Sequence, residues 1–381
     1  MRAPGVADAP ARGPFAPGWS ARLIARPGFQ RFAARVPGLR RIARAEGAAL
    51  FDLMQGFVRS QVLMALVELR LLHRLAEGPA TAAKLAPGAG VAPERMQVLL
   101  QAGAGVGLLK RRRDGRFALS RRGAAFLGVP GLEAMVRHHA VLYRDLADPA
   151  AFLRGETEPE LARFWPYVFG AAAADDPEAA RRYSGLMADS MALVAADTLR
   201  CVRLAGVRHL LDVGGGTGRF LAHVGAAYPD LRLSLFDLPE VVAGAGPVLR
   251  EAGLGERVTI HAGSFRDDPL PGGADAISLV RVLYDHGDDT VAALLRAVHG
   301  ALPPGGRVIV SEPRSGGARP DPATDVYFAI YTLAMRTGRL RSAGEIRAAL
   351  KDAGFADTAA HRGDRPYVTK VVTARKAVRG A

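Results

Sequence analysis

Cysteine is nearly absent: the 381 residues contain one, Cys201. A lone thiol excludes an intramolecular disulfide and any Cys-built metal site, so a reducing cytoplasm is the expected compartment. Long uncharged apolar runs are missing too. The stretch from Leu50 to Leu72 is interrupted by Asp52, Arg59, Glu68 and Arg70, and no segment reads as a membrane span of about 18 or more apolar residues. Nor is there an apolar core long enough for a cleavable signal peptide. Acids are short, 37 against 51 Lys and Arg, leaving a formal net charge of +14. That imbalance favours anionic surfaces, nucleic acid or anionic lipid, and it is equally the mark of an Arg-, Ala- and Gly-rich chain from a GC-rich genome. Metal spacing is absent: His138 and His139 lack further ligands at a useful distance, so they read as helix surface and no metal is expected.

What is present is length for two domains, with 49% hydrophobic residues to fill two cores. Three regions are expected: a basic N-terminal segment (1–47), a helical winged-helix-like domain (48–178) and an α/β domain (179–381). Met1 to Trp19, rich in Pro, Ala and Gly, reads as disordered. From Ser20 to Ala45, Leu23, Ile24, Phe29, Phe32, Val36, Leu39 and Ile42 interleave with arginines, and Pro27 and Pro37 break the run into short helical pieces. Such a strap suits a membrane surface or a partner subunit. Residues 76 to 123 read as two short helices and a two-stranded wing around Asp114-Gly115. The excess charge concentrates in the first 48 residues and in the Lys110 to Arg113 run.

Beyond residue 179 a long helix is followed by strands alternating with helices, near Arg208–Val213, Leu231–Phe236, Val258–His261, Ala276–Val282 and Arg307–Ser311. A last pair near Thr358–Arg362 and Val368–Thr373 closes the sheet. Alternation of this kind argues a doubly wound, mostly parallel, Rossmann-like sheet with ligands at the carboxyl ends of its strands. There the sequence reads D-V-G-G-G-T-G (Asp212 to Gly218), and roughly 20 residues on a second apolar run ends in Asp237. Gly214 and Gly216 let backbone approach a ligand, while Asp237 can accept two ribose hydroxyls or simply cap the helix that starts at Pro239.

The D-V-G-G-G-T-G, F-D-L-P (Phe236 to Pro239) and L-P-P-G-G-R (Leu302 to Arg307) blocks resemble, in order and spacing, the two-domain S-adenosylmethionine-dependent small-molecule O-methyltransferases. The blocks Leu142 to Pro149, Ser278 to His286 and Tyr327 to Arg339 are similar to the bacterial methyltransferases of acyclic carotenoids, the hydroxyneurosporene or demethylspheroidene type. The resemblance covers nearly everything after about residue 48. It implies S-adenosylmethionine as cofactor, with Asp212, Gly214, Gly216, Asp237, Leu238, Ser264, Phe265 and Arg281 around it. Where the family places an acid for the adenine amine this chain has Ser264, with Asp267 close by. It also implies that the winged-helix module serves a homodimer and not DNA, so no nucleic-acid partner is expected.

For the chemistry the resemblance points to Tyr284, His286 and Glu312. The family's V-L-H-D-W step reads Val282-Leu283-Tyr284-Asp285-His286, so Tyr284 replaces the usual base and His286 the tryptophan. Glu312 matches the family's orienting glutamate, and Leu340 replaces the second one. Either His286 has become the base or the enzyme mainly positions its substrate. The hydroxylated carotenoid would lie among Tyr143, Trp165, Met187, Met191, Phe328, Tyr331 and Met335, although such residues at helical spacing often form core. An aromatic polyketide or other phenol is the rival substrate, and an S-adenosylmethionine-sensing DNA-binding regulator the rival class. A cytoplasmic enzyme, with peripheral contact to the inner membrane through its basic strap, is the expectation.

Overall fold

Apolar runs bounded by glycine turns become the strands of the larger sheet. A computed structural model describes residues 18–164 and 190–378, and the chain divides into two units, Met1–Gly123 and Ala124–Ala381.

In the first unit, helices span Trp19–Ile24, Pro27–Ala33, Pro37–Met54, Gly56–Glu68 and Leu71–Ala76. Pro27 and Pro37 each occupy a first helical turn, where a missing amide costs nothing, so the prolines start helices as well as ending them. Trp19, expected in the disordered leader, instead opens the first helix. Thr81 caps Ala82–Leu85 by accepting the amide of Lys84 at 3.3 Å. Helix Pro93–Gly105 then leads into β1 (Leu109–Arg111) and β2 (Phe117–Leu119), an antiparallel wing. Leu66, Leu71, Leu72, Met96, Leu100 and Phe117 are fully buried. Among the described residues no single helix is long and apolar enough to cross a membrane; the pair Pro37–Met54 and Gly56–Glu68, bent by 50°, meets that test only together.

In the second unit a sheet of seven strands runs in the order β5-β4-β3-β6-β7-β9-β8. These are β3 (His209–Val213), β4 (Arg232–Asp237), β5 (Val258–Ala262), β6 (Ala276–Val280), β7 (Arg307–Glu312), β8 (Phe355–His361) and β9 (Lys370–Lys376). The first five are parallel, and β9 pairs antiparallel with β7 and β8. Alternate side chains feed two cores. Leu211, Val213 and Leu279 pack with helices Asp288–Ala301 and Ala343–Asp352, while Leu210, Leu233 and Leu235 pack with Arg219–Ala227, Ala245–Glu251 and the helical run 190–201. Both faces are thus covered, as a parallel sheet requires. Sheet order turns at β3 and β6, where ligands of such folds collect.

The unit boundary falls at Gly123, well ahead of the expected one after residue 178. The physical reason is packing: helix Leu132–Asp145 buries Val141 and Leu142 against Tyr331, Ala334 and Met335 of helix Thr324–Met335.

Candidate active site

The turn after β3 is packed at Gly214 and Gly215 and open at Gly216. Gly214 and Gly216 adopt φ of +68° and +62°, a left-handed region that side-chain-bearing residues enter at a cost. Gly214 donates its amide to Phe236 O at 2.8 Å, and a Cβ there would lie 2.8 Å from Val282. Around Gly216 there is free space. Asp237, at the end of β4, accepts the amides of Gly216 and Leu238, both at 2.7 Å, and burial raises its carboxyl pKa. Each of its oxygens keeps a second lone pair for a ligand hydroxyl.

Beneath the same turn Asp212 accepts the Ser278 hydroxyl at 2.6 Å. Its other oxygen, which a Cβ on Gly215 would meet at 2.5 Å, is buried without a partner. Burial, with the neighbouring Asp237 charge, raises Asp212 to about 7 against the partial relief of the Ser278 bond. An unpartnered buried acceptor beside an open glycine turn fits a ligand that is cationic and bears a ribose, as S-adenosylmethionine is. At the end of β5, Ser264 donates its amide to Asp268 and accepts that of Arg266 on its hydroxyl. Asp267 is exposed, and Phe265 meets the His286 ring edge-on at 5.2 Å.

After β6 the chain makes a tight turn, Leu283–Asp285, clamped at both ends. Glu312, fully buried, accepts the Tyr284 amide at 3.2 Å. On the carbonyl side, buried Arg341 donates to Leu283 O at 2.7 Å and His286 O at 2.9 Å and pairs with Asp288. Burial raises Glu312 to about 7 and pushes Asp285 well above the carboxylate range; one oxygen of each lacks a hydrogen bond. Arg281 precedes the turn with φ +61°, donates to Ser190 at 2.7 Å and hydrogen-bonds Tyr284, whose phenol burial pushes above its usual value.

An apolar cavity of about 450 Å³ opens in front of Tyr284 and Arg281. Val129, Leu132, Met135, Leu193, Phe328 and Val368 give it apolar walls, and His139, Tyr327 and Tyr331 face it with polar tips. Of the residues expected to form the pocket, Phe328 and Tyr331 line it. Met335 is fully buried in the core and Met191 packs against the sheet, and Tyr143 meets the His139 ring at 6.4 Å. These three do not line the cavity: for Met335 and Met191 the apolar face of a helix meets a neighbouring helix or the sheet. Trp165 and Met187 lie outside the described residues.

His286 is not among the lining residues either. It is buried, its Nδ1 takes a hydrogen bond from Arg266 at 3.2 Å, and burial with the charges of Arg266 and Arg341 lowers it to about 4. Since a guanidinium can only donate, that nitrogen's lone pair is already used. His138 and His139 also differ from the expected helix surface. Both are half-buried and bond Tyr331 and Tyr327, each at 2.8 Å.

The O-methyltransferase domain family matches residues 143–356 and the O-methyltransferase dimerisation domain residues 51–128. Demethylspheroidene O-methyltransferase of Cereibacter sphaeroides is 65% identical over 353 residues, 93% of each chain. The enzyme of that name from Rhodobacter capsulatus is 55% identical, over 90% of this chain and 85% of its own. Among solved structures, human N-acetylserotonin methyltransferase in complex with S-adenosylmethionine gives a TM-score of 0.70 at 26% identity, covering 87% of this chain and 98% of that one. With the donor-type turn at the ends of β3 and β4, and relatives this similar over nearly their whole length, the chain belongs to the S-adenosylmethionine-dependent O-methyltransferase family.

Proposed function

We propose that the protein methylates the hydroxyl of an acyclic carotenoid of hydroxyneurosporene or demethylspheroidene type. The observation that carries this reading is the 65% identity to the Cereibacter sphaeroides enzyme across 93% of both chains. An apolar cavity with a few polar tips is the chemistry an isoprenoid alcohol needs.

When bound, S-adenosylmethionine supplies an electrophilic methyl carbon on a sulfonium. In this reading the Gly214–Gly218 turn and Asp237 hold its ribose, Asp212 and Arg281 border its methionine portion, and Leu238, Ser264 and Phe265 flank the adenine. His286 then braces Phe265. Glu312 and Arg341 fix the turn that brings Tyr284 to the cavity wall, and neutral Tyr284 orients the acceptor oxygen. Holding that oxygen about 3 Å from the methyl carbon can supply about 7–11 kcal/mol of the barrier.

The first unit serves a homodimer, a role supported by the dimerisation-domain match and by exposed Leu50, Phe51, Leu53, Met54 and Phe57 on adjoining helices. The basic strap brings the cytoplasmic enzyme to the inner membrane, where a carotenoid resides. From residue 18 to 45 there is no acid, and Arg26, Arg31, Arg35, Arg40, Arg41 and Arg44 are exposed beside exposed Trp19, Ile24, Phe32 and Ile42. Each arginine near an anionic surface contributes about 1 kcal/mol, screened by salt.

Cells making this chain beside a hydroxylated acyclic carotene should accumulate a pigment heavier by one methylene, read by mass spectrometry of the extract. Unmodified pigment, together with methylation of a phenol by the purified enzyme, would transfer the assignment to an aromatic substrate.

A further inference from the structure

A hydroxyl that gains a methyl group must lose its proton, and the turn after β6 presents only the Tyr284 phenol to the cavity. Tyr284 is held as a neutral phenol and His286 has its lone pair engaged by Arg266. A different imidazole faces the cavity. His139, on helix Leu132–Asp145, lines it together with Tyr284, Arg281 and Tyr327.

His139 and Tyr327 share a hydrogen bond whose direction sets which imidazole nitrogen is basic. Its Nε2 lies 2.8 Å from the Tyr327 hydroxyl, and that hydroxyl donates toward the sulfur of Met135 at 3.8 Å. Where the Tyr327 hydrogen turns to sulfur, its oxygen accepts Nε2–H; where it turns to Nε2, that nitrogen's lone pair is taken. The first arrangement leaves the lone pair on Nδ1. Two ring contacts hold the imidazole in place, Tyr327 at 5.4 Å and Tyr143 at 6.4 Å, both close to edge-on. Burial lowers the His139 pKa and raises that of Tyr327, so at neutral pH the imidazole is uncharged and the phenol keeps its proton. The adjacent pair, His138 with Tyr331, repeats the bond, yet His138 does not reach the cavity.

We propose that His139, in the tautomer that donates Nε2–H to the Tyr327 oxygen and leaves the Nδ1 lone pair open, accepts the proton of the acceptor hydroxyl, with Tyr327 as the positioning residue. The assignment rests on the reading that an alcohol is methylated in this cavity. A lone pair of the hydroxyl oxygen forms the new O–C bond, and the C–S bond breaks with its electron pair staying on sulfur. The O–H proton passes to Nδ1, so the positive charge of the sulfonium ends on the imidazolium and is released with the proton to water. An imidazole is too weak to ionise an aliphatic alcohol beforehand. It need not do so, because the oxygen becomes strongly acidic as the O–C bond forms.

The test uses the full chain with S-adenosylmethionine and a hydroxylated acyclic carotene in detergent, read as single-turnover rates. His139→Gln keeps a donor for Tyr327 and removes the basic nitrogen. Its rate should fall by about 10²–10³-fold, with cofactor affinity in calorimetry unchanged. With a fluorinated, more acidic alcohol analogue the loss should shrink. Tyr327→Phe should fall about tenfold, also less on the acidic analogue, and it decides the matter alone if His139→Gln does not fold. A His139→Gln rate within threefold of wild type, an equal loss on both substrates, or an unchanged Tyr327→Phe overturns the proposal. Wild-type enzyme that leaves the carotene unmethylated defeats the substrate reading instead. In that case His139 falls only if His139→Gln keeps the wild-type rate on the alcohol or phenol that is accepted.

Discussion

After β3 the chain makes a turn with room at Gly216, and after β6 a turn with none. Gly216 has empty space where a side chain would go, and the turn is held by the Gly214 amide on Phe236 O and the Gly216 amide on the Asp237 carboxylate. The Leu283–Asp285 turn is pressed from below by Gly338, where an added Cβ would stand 2.0 Å from Tyr284 O. Glu312 and Arg341 close on its two ends. An open turn suits a surface made of backbone, against which a ligand lies; a filled one delivers a single side chain at a fixed angle. The contrast explains why buried ionisable groups gather at both turns yet are paired differently. Asp212 accepts the side chain of Ser278, whereas Glu312 accepts the main-chain amide of Tyr284, and each keeps one oxygen without a partner.

The largest effect that would break this contrast comes from the filled turn. Gly338→Ala sets a methyl against main-chain atoms that have nowhere to go, and overpacking of this kind costs up to about 3 kcal/mol or more. Differential scanning calorimetry should show the melting temperature falling by about 6–12 °C; a shift under 2 °C would mean that Gly338 is not wedged there. At the open turn the balance inverts. Gly216→Val costs the fold only about 1–2 kcal/mol for its left-handed backbone, but it fills the ligand's space, so S-adenosylmethionine affinity should drop more than about 100-fold. Unchanged affinity by calorimetry would remove this turn from the donor site.

Glu312 comes next. Glu312→Ala leaves the buried Tyr284 amide without its acceptor, at about 1–3 kcal/mol, while Glu312→Gln retains one carbonyl oxygen and should cost less. The pH dependence sharpens the point. A folded-state pKa of about 7 against the usual 4.5 means the folded state holds the proton more tightly. The stabilisation is complete below about 4.5 and lost as pH rises through about 7. Glu312→Gln lacks that titration, so the melting temperature of the ligand-free variant relative to wild type should climb between those two values. A constant difference would show that Glu312 is not held protonated. The smallest effect is expected from His286→Ala, which removes a residue outside the cavity: turnover should change less than about tenfold, and a loss of 10²-fold or more would restore His286 as the base.

Legibility in the sequence follows the distance between the cooperating residues. The β3 turn and Asp237 are a local unit of about 20 residues, and the apolar runs that form the sheet are continuous, so both could be read directly. Helical periodicity told which face of Thr324–Met335 is buried but not what it meets. Phe328 and Tyr331 do line the cavity, and Met335, on the same helix, packs into core. His139 and Tyr327 stand 188 residues apart, and nothing local marks them as partners. The one available signal was the i, i+4 spacing of Met135, His139 and Tyr143, which puts the imidazole on the helix's apolar side. Placing His286 by family pattern failed to foresee Arg266, because a pattern fixes the position of a residue along the strand end and not which neighbour takes its lone pair.

The cavity wall is assembled from stretches near residues 129–139, 190–194, 281–284, 327–331 and 365–368, whereas the glycine turn needs only β3 and β4. Structure built from contacts so remote along the chain forms late and yields early. Under mild denaturant, amide exchange should therefore spread first through helix Leu132–Asp145 and the 190–201 run while the centre of the sheet stays protected, so that the enzyme loses its acceptor compartment before it loses its grip on the donor.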